Sequence, residues 1–388
     1  MATHRPTRKT TVKHPPTTPE KPWLDRLQQA ARDDALQSLR KLENELAASK
    51  AKLRAEAAKR RQAEAELNNS SAHLDLVLAT QDKASAKNLS DAAKRAKTIS
   101  PGDAAAVLLW SDWHCNEGVE PSAIDYCNAF NPDICAARID RLLNKSIELI
   151  EFSRGLSRIR EVVCWLGGDF MGGNIHTELA EEASMGPADE IIYVQDKIIA
   201  GLSFLKKHLK FPLRVVTSCG NHARQEREKR WKGAHNHSHE YVIYRNVERA
   251  FAKEPGIAFQ VGIGYLNFMR IFNYDVAFQH GDALRYMGGV GGLHIPLRRA
   301  IGRWSARRRA SLWCLGHYHQ FLSDVNYCVN GSLIGMTDWA FANNFEWQPP
   351  IQALNIIGPP YCKLLSVPIF LSSEAEQKKY GIVERQVS

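Results

Sequence analysis

The chain has 388 residues, 44% of them hydrophobic and 24% charged, a composition typical of a folded globular protein. No apolar run reaches the roughly 20 residues that a membrane helix needs, so the sequence predicts no membrane-spanning segment. Eight scattered cysteines without a Cys-x-x-Cys pair, and a basic start without an apolar signal core, favour reduced thiols and a cytoplasmic location.

The net charge of +9 lies almost entirely in the first 100 residues, which carry 20 Lys+Arg against 12 Asp+Glu. The remaining residues carry 31 bases and 30 acids, so the part of the chain that follows is close to neutral. A basic N-terminal region suits nucleic-acid binding, and it suits the solubility of a long exposed helix nearly as well.

The first hundred residues predict a tail and a helical arm. Residues 1–22 are rich in Thr, Pro and basic residues, which predicts a disordered tail. Residues 23–99 predict a helical arm, because the stretch up to about Asn68 contains neither Gly nor Pro. A short coiled-coil seam is indicated by positions at alternating three- and four-residue steps, namely Leu39, Leu42, Leu46, Ser49 and Leu53, with Ser49 in place of a leucine. The arm would self-associate or bind a partner protein, or it would fold back as a single solvated helix.

Residues 100–388 predict one α/β domain that begins after the linker at Ser100-Pro101-Gly102. In the first half, apolar strand patterns at 104–109, 161–166 and 213–218 alternate with helix patterns at 131–153, 187–208 and 237–252. The second half is rich in strands, at 257–261, 265–272, 276–279, 312–315, 321–329 and near 362–371, with an Arg-rich helix among them. This order predicts two sheets with helices on their outer faces.

Side chains suited to metal binding follow five of the predicted strands. They are Asp112 and His114, then Asp169, then Asn221 and His222, then His280, and finally His317 and His319. Open α/β sheets place their ligands at the carboxyl ends of strands, and carboxylate with imidazole suits a divalent metal such as Mn, Fe or Zn. On an extended backbone, side chains two residues apart point the same way, so Asp112 and His114 are expected to project together.

The ordered series Asp112-x-His114, Gly168-Asp169, Gly220-Asn221-His222, His280 and Gly316-His317-x-His319 resembles the calcineurin-like metallophosphoesterase superfamily. The resemblance covers residues 112–319 and implies an α/β/β/α sandwich of four layers, here preceded by the helical arm. It implies a hydrolase of phosphoric esters that uses two divalent metal ions and a hydroxide activated between them. Mn²⁺ is the expected metal, and Fe, Zn and Mg also suit the mixed oxygen and nitrogen ligands.

The resemblance also implies a role for each residue. The first metal would be held by Asp112, His114 and His319, the second by Asn221, His280 and His317, and Asp169 would bridge both. His222 would stay unligated as the catalytic residue, close to the leaving-group oxygen. Members of the superfamily often continue Gly-Asn-His with Asp or Glu, whereas this chain has Ala223. Another carboxylate therefore supports His222, or the role of His222 is altered.

Several residues near these motifs are predicted to face the substrate. Arg224 and Arg227 follow Gly-Asn-His directly, and His176 follows the Gly168–Gly173 turn, so all three are predicted substrate contacts. A polar loop without substrate contact explains His176 equally well. The histidine-rich stretch 235–239 predicts a polar helix start or a substrate-side loop rather than a third metal site. Basic runs at 224–232 and 298–309 favour a phosphate backbone, although a solvated helix face also explains the second run.

These features predict a phosphodiesterase or nuclease that acts on DNA or RNA, similar to the repair exonucleases of the superfamily. The combination of arm and motifs also resembles phage- or prophage-encoded members. One alternative is a phosphomonoesterase acting on phosphoproteins or nucleotides, and another is a non-catalytic recruitment protein that uses the arm. The expected partners are nucleic acid and a protein bound through the arm.

Overall fold

The computed structural model describes residues 102–382, apart from 174, 176 and 285–291, together with scattered residues between Arg26 and Glu56. The described residues of the arm are helical, Leu46 among them, and belong to a different unit from residues 102–382. The tail 1–22 and the other leucines of the predicted seam lie outside the described residues, so the coiled coil stays a prediction. None of the helices among the described residues is long and apolar enough to cross a membrane.

Within residues 102–382 the described strands form two sheets. The first sheet contains β1 (Asp103–Trp110), β2 (Arg158–Leu166), β3 (Leu213–Thr217), β4 (Ile257–Gln260), β10 (Ile351–Gly358) and β11 (Cys362–Phe370). The second sheet contains β5 (Asn267–Ile271), β6 (Tyr274–Phe278), β7 (Leu312–Leu315), β8 (Leu322–Asp324) and β9 (Tyr327–Val329). The predicted mixed α/β fold with two sheets is thereby confirmed.

Six of the helices described in 102–382 lie in the connections between these strands, and the seventh follows the last strand. They are α1 (Pro132–Ser153), α2 (Thr177–Glu182), α3 (Pro187–Leu209), α4 (His239–Ala250), α5 (His294–Arg307), α6 (Asp338–Ala342) and α7 (Glu374–Tyr380). Short 3₁₀ helices lie at Pro121–Ile124 and Ala234–His237. The amide of Ile134 donates to the Asn131 side chain, which caps α1, and Pro132 occupies the first turn, where a missing N–H costs nothing.

The strand order of the first sheet is β11-β10-β1-β2-β3-β4, and that of the second is β5-β6-β7-β9-β8. Strands β1, β2, β3 and β4 are parallel neighbours, and in the second sheet β6, β7 and β9 are parallel neighbours. Because parallel strands end at the same edge of a sheet, the loops that leave β1, β2 and β3 lie together, and so do those that leave β6 and β7.

Alternate residues of β1 face opposite sides of the first sheet, as the period of a strand requires. Ala106 and Leu108 pack in a cluster with apolar residues of α1 and α3, whereas Val107 and Leu109 pack against the second sheet. On the far face of the second sheet, apolar residues of β7 and β9 pack against α5. Helices, first sheet, second sheet and helix therefore follow one another as packed layers.

Two strand predictions differ from the structure. The predicted strand at 321–329 is two short antiparallel strands, β8 and β9, because the chain turns at Val325 and Asn326. Strand β10 was not predicted, although all its residues are buried and it lies between β1 and β11. Its apolar run directly after Pro349-Pro350 is the sequence signal that indicates it.

A buried arginine ties helix α1 to the segment behind the predicted metal ligands. The guanidinium of Arg138 is fully buried and donates to the carbonyl oxygens of Leu333 and Ile334 at 2.9 and 2.7 Å. It also forms an ion pair with Glu376 of α7 at 2.6 Å. The amide of Leu333 donates in turn to the carbonyl oxygen of Asp112 at 3.0 Å. Arg138 therefore connects α1 and α7 to the segment at Leu333, which in turn holds the loop that follows β1.

Replacing Arg138 by Met should lower the free energy of unfolding by about 3–5 kcal/mol, because buried acceptors would lose their partner. These are Glu376, the side-chain oxygen of Asn128, and the carbonyl oxygens of Ala129, Leu333 and Ile334. The control is Lys145→Met on the same helix, which removes an exposed ion pair with Glu148 worth at most about 1 kcal/mol. Urea denaturation followed by circular dichroism measures both. Equal effects of the two substitutions would contradict the role given to Arg138.

Candidate metal centre

The predicted metal ligands come together where five loops meet. The loops follow β1, β2 and β3 of the first sheet and β6 and β7 of the second. All of the ligands predicted from the motifs are described by the structure, and Asp112, His114, Asp169 and His280 are almost fully buried. Tertiary packing therefore brings together residues that are up to about two hundred positions apart in the chain.

The first group consists of Asp112, His114 and His319, whose ligand-capable atoms all lie within 4.8 Å of one another. The Nε2 atoms of the two histidines are 3.1 Å apart, and Nε2 of His319 is 3.7 Å from Oδ1 of Asp112. One carboxylate and two imidazoles pointing at a common space form a set of donors that fits a divalent transition metal.

The second group consists of Asp169, His280 and His317, again within 4.8 Å of one another. Oδ2 of Asp169 is 2.8 Å from Nε2 of His280, and Oδ1 of Asn221 is 3.2 Å from the same nitrogen. The amide oxygen of Asn221 thus lies beside the group as a further uncharged atom that could bind a metal ion. A third set, His114, Glu117 and His222, also lies within 4.8 Å, so the division of the ligands between two ions stays a prediction.

The backbone at the ligands differs from the extended conformation expected for the β1 end. Residues with φ in the left-handed region include Asp112 at 56°, His114 at 48°, Asp169 at 53°, His317 at 74° and His319 at 55°. Such conformations cost on the order of 1–3 kcal/mol each for residues other than Gly and accumulate at functional sites. Asp112 and His114 therefore converge because tight turns aim them, and the expected strand alternation is not the reason.

Hydrogen bonds between neighbouring loops hold the strained turns after β1 and β2. The amide of Asp112 donates to the carbonyl oxygen of Gly168 at 2.9 Å, and that of His114 donates to the carbonyl oxygen of Asp169 at 3.1 Å. The carboxylate of Asp112 accepts from Ser111 Oγ at 2.5 Å, and Asn330 donates to the same hydroxyl at 2.8 Å. The direction of the Asp112 side chain is therefore fixed from both sides.

Acceptor groups around two of the histidines determine which ring nitrogen carries the proton. Nδ1 of His280 donates to the carbonyl oxygen of Gly167 at 2.8 Å, because a carbonyl can only accept. Nδ1 of His114 lies 2.5 Å from Oε1 of Glu117, a carboxylate that likewise accepts. In their neutral forms both rings then turn an unprotonated Nε2 towards the centre, which is the arrangement that metal-binding histidines require.

The electrostatics of the two groups are those of a buried centre. Burial lowers the pKa of His114 and of His317 to about 3, so both imidazoles are neutral donors. Burial raises the pKa of Asp112 to about 7. Burial alone would lower the pKa of His280, but the charge of Asp169 and the hydrogen bond to it raise that pKa to about 10. In the metal-free protein a proton on His280 therefore balances Asp169, and a divalent cation would supply that positive charge instead.

Two glycines allow the loops after β2 and β3 to touch. A Cβ atom on Gly168, whose φ is +91°, would lie 2.2 Å from the amide nitrogen of Gly220. A Cβ atom on Gly220 would lie 2.1 Å from Oδ1 of Asp169. Both distances are far below any real contact, so these positions require glycine for the approach itself.

His222 lies at the edge of the two groups and is held by hydrogen bonds to the neighbouring loop after β2. Its backbone amide donates to Oδ1 of Asp169 at 2.8 Å, and its Nδ1 donates to the carbonyl oxygen of Gly172 at 2.8 Å. The Oε1 atom of Glu117 lies 3.7 Å from the same Nδ1. Glu117 is thus a carboxylate close to His222, where the sequence has Ala223 in place of the acid that often follows Gly-Asn-His.

Glu240 at the start of α4 is the most deeply placed residue that sequence reasoning missed. It is fully buried, and its two carboxylate oxygens accept from the amides of Phe170 and Gly220, each at 2.8 Å. It therefore clamps the residues next to Asp169 and Asn221. Burial, with repulsion from Asp169, raises the pKa of Glu240 to about 8 although the two amides oppose the rise. An acid in the first turn of a helix is common, so the sequence carried no signal for this role.

The predicted substrate contacts have different surroundings. The guanidinium of Arg224 donates to the backbone carbonyls of Asn221, Glu226 and Arg227, so much of its hydrogen-bonding capacity serves its own loop. Arg227 is partly exposed and donates to Thr177 Oγ1 at 3.3 Å. His176 lies outside the described residues.

No protein-family model matches the chain, and no relative was found among curated proteins. Among solved structures, Vps29 from Entamoeba histolytica complexed with zinc is 12% identical, covers 68% of this chain and 99% of its own, and has a TM-score of 0.28. A conserved uncharacterized protein of Streptococcus pneumoniae, described as a predicted phosphoesterase, is 12% identical over 68% and 89% of the two chains, with a TM-score of 0.28. The sulfate thiohydrolase SoxB of Thermus thermophilus is 10% identical over 73% and 60%, with a TM-score of 0.26.

Replacing Glu240 by Gln should weaken metal binding by about 10- to 100-fold, because one of the clamped amides would face an NH₂ group instead of an acceptor. Titration calorimetry with Mn²⁺ on the full chain measures this affinity. The matched control is Glu248→Gln, a surface acid on the same helix that pairs with Arg245, and it should bind Mn²⁺ like the unmodified chain. Unchanged affinity in Glu240→Gln would show that the clamp does not position the ligands.

Proposed function

We propose that this chain is a metal-dependent phosphoester hydrolase that acts on phosphodiesters of nucleic acid. The observation that carries the proposal is the convergence of two buried donor groups, with the imidazole of His222 beside them, on a residue whose backbone amide donates to Asp169 of the second group. A site of structural zinc alone would be closed by four ligands and would not need an additional oriented histidine at its edge.

The donor groups fit divalent cations in the arrangement that the motifs imply. Asp112, His114 and His319 would hold one ion, and Asn221, His280 and His317 would hold the other. Asp169 suits a bridging position, since a carboxylate has two oxygens that can serve two ions. When bound, such ions supply positive charge that neutralises phosphate oxygens and makes a water molecule more acidic.

The residues of the chain itself provide orientation and a proton. Because Nδ1 of His222 donates to the Gly172 carbonyl, the ring is oriented and Nε2 is the nitrogen that would exchange a proton with the substrate. Protonated at both nitrogens, His222 would donate from Nε2 to the departing oxygen of the ester. Glu117, near Nδ1, would stabilise the positive charge of that form.

The choice of a phosphodiester rests on the motifs and on the exposed basic residues of the second run, such as Arg299, Arg303 and Arg307 on α5. A specific observation favours the second candidate, a phosphomonoesterase. In the first basic run, Lys229 pairs with Asp282 and Arg230 pairs with Glu226 at 2.9 Å, so this run offers less charge to a long polyanion than its sequence indicates. The helical arm would serve as a self-association or partner-binding segment in either case.

The test uses the full chain loaded with Mn²⁺ and offers it bis-p-nitrophenyl phosphate, p-nitrophenyl phosphate, and single- and double-stranded DNA. His222→Ala should lower kcat by about 100- to 10,000-fold, which is the usual contribution of a proton-transferring side chain, while metal content stays unchanged. The control is His208→Ala, an exposed histidine of α3 that hydrogen-bonds only within its own helix among the described contacts. Turnover of the monoester alone would favour the phosphomonoesterase, and no turnover with full metal content would refute the hydrolase.

Replacing Glu117 by Gln keeps the shape of the side chain but removes its charge. We expect kcat to fall about tenfold or more while KM changes less than twofold, because the lost charge lies close to Nδ1 of His222 and acts after substrate has bound. Metal content is measured on the same samples and should stay unchanged, because Glu117 also contacts Nδ1 of the predicted ligand His114. Glu120→Gln, an exposed acid three residues further on, should leave both constants unchanged. Steady-state kinetics on the best substrate of the preceding assay measures the two constants, and a change confined to KM would contradict this role.

A further inference from the structure

A cleft of about 180 Å³ opens directly beside the second donor group and shares Asn221 and His280 with it. Its other walls come from the segment between β3 and α4, from the turn before β5, and from Asp282. Pockets for drug-sized ligands hold about 300–1,000 Å³, so this cleft accommodates a single ring system rather than a whole oligonucleotide. A group in the cleft would be joined to a phosphate at the metal centre.

The charges that line the cleft nearly cancel. The bases are Arg224, Lys229 and Arg230, and the acids are Glu226, Glu228 and Asp282. Two of these bases are paired, since Lys229 lies against Asp282 and Arg230 lies 2.9 Å from Glu226. A balanced lining does not attract a polyphosphate or an acidic peptide, and it admits a neutral polar group without a large desolvation cost.

One wall of the cleft is aromatic. The rings of Trp231 and Tyr265 lie with centroids 5.4 Å apart and planes inclined by 32°. Nζ of Lys229 lies 4.7 Å from the centroid of the indole ring. Trp231 nevertheless keeps 61% of its surface exposed, so the indole is open to a further stacking partner.

Buried polar atoms in the same lining have no hydrogen-bond partner within the described residues. They include Nδ1 of His235 and Oδ1 of Asp282, the oxygen of that carboxylate to which Lys229 does not bind. The side chain of Asp282 is only 6% exposed. A buried polar atom without a partner is unfavourable, so a small rotation of either side chain towards the cleft would let a ligand that carries both a hydrogen-bond donor and an acceptor satisfy these atoms.

We propose that this cleft binds the nucleobase attached to the phosphoester, stacked on Trp231 and hydrogen-bonded to His235 and Asp282. A nucleobase is planar and neutral, and it carries both donors and acceptors in its plane, which matches the three properties of the lining. The proposal rests on the phosphoesterase function proposed above and specifies its substrate class as a nucleotide ester. A phenyl ester shares the planar ring but lacks the hydrogen-bonding edge.

Calorimetry on the full chain with Mn²⁺ compares AMP, phenyl phosphate and ribose 5-phosphate, and the same samples are assayed for released phosphate. AMP should bind about tenfold tighter than ribose 5-phosphate, since stacking of one base contributes about 1–3 kcal/mol. Phenyl phosphate should lie between them. Trp231→Ala should reduce the affinity for AMP to that for ribose 5-phosphate, and Trp231→Phe should retain most of the difference.

The matched control is Tyr361→Ala. Tyr361 is 80% exposed in the turn between β10 and β11, which the antiparallel pairing with β1 places at the opposite end of the sheet from the metal centre. This variant should keep the full preference for AMP. Equal binding of AMP and ribose 5-phosphate, a preference that survives in Trp231→Ala, or phenyl phosphate binding as tightly as AMP would each overturn the proposal. Trp231-dependent binding of AMP without turnover of any ester would refute the hydrolase and leave the base-binding cleft standing.

Discussion

The carboxylate of Asp169 is the constraint on which the rest of the centre depends. Its two oxygens meet the amide of His222 and the imidazole of His280, and its backbone carbonyl accepts from the amide of His114. The loops after β1, β3 and β6 are therefore all hydrogen-bonded to this one residue. Its φ of 53° aims the side chain between the sheets, and Gly220 leaves the space that the carboxylate occupies.

Holding such a turn requires support from behind the ligands. Glu240 accepts from the amide of Phe170 in the loop after β2 and from that of Gly220 in the loop after β3. Glu117 accepts from Nδ1 of His114. Both acids are buried next to further negative charge, which is unfavourable in a metal-free interior. Cations in the proposed centre would offset this repulsion, and metal binding would then stabilise these loops.

The centre and the neighbouring cleft differ in charge, and they therefore suit different parts of a substrate. The centre combines buried carboxylates with neutral imidazoles, which suits cations and through them a phosphate. The cleft is nearly neutral, has an aromatic wall at Trp231 and Tyr265, and leaves polar atoms without partners. The phosphate and the group attached to it would therefore be recognised by different physical interactions at adjacent positions.

The sequence by itself determined which residues stand at strand ends. Local apolar patterns located β1, β2, β3, β6 and β7, and the polar residues that follow each strand, from Asp112 to His319, are read directly from the chain. Only the tertiary structure decided how those side chains converge, because contacts between loops hold Asp112, Asp169 and the other ligands with positive φ in their turns. It also decided that Glu117 and Glu240 support the site and that Lys229 and Arg230 are neutralised. These contacts are made between residues far apart in the chain, or between residues of one loop whose conformation is irregular. The periodicity of apolar residues, which predicts helices and strands, does not predict such contacts.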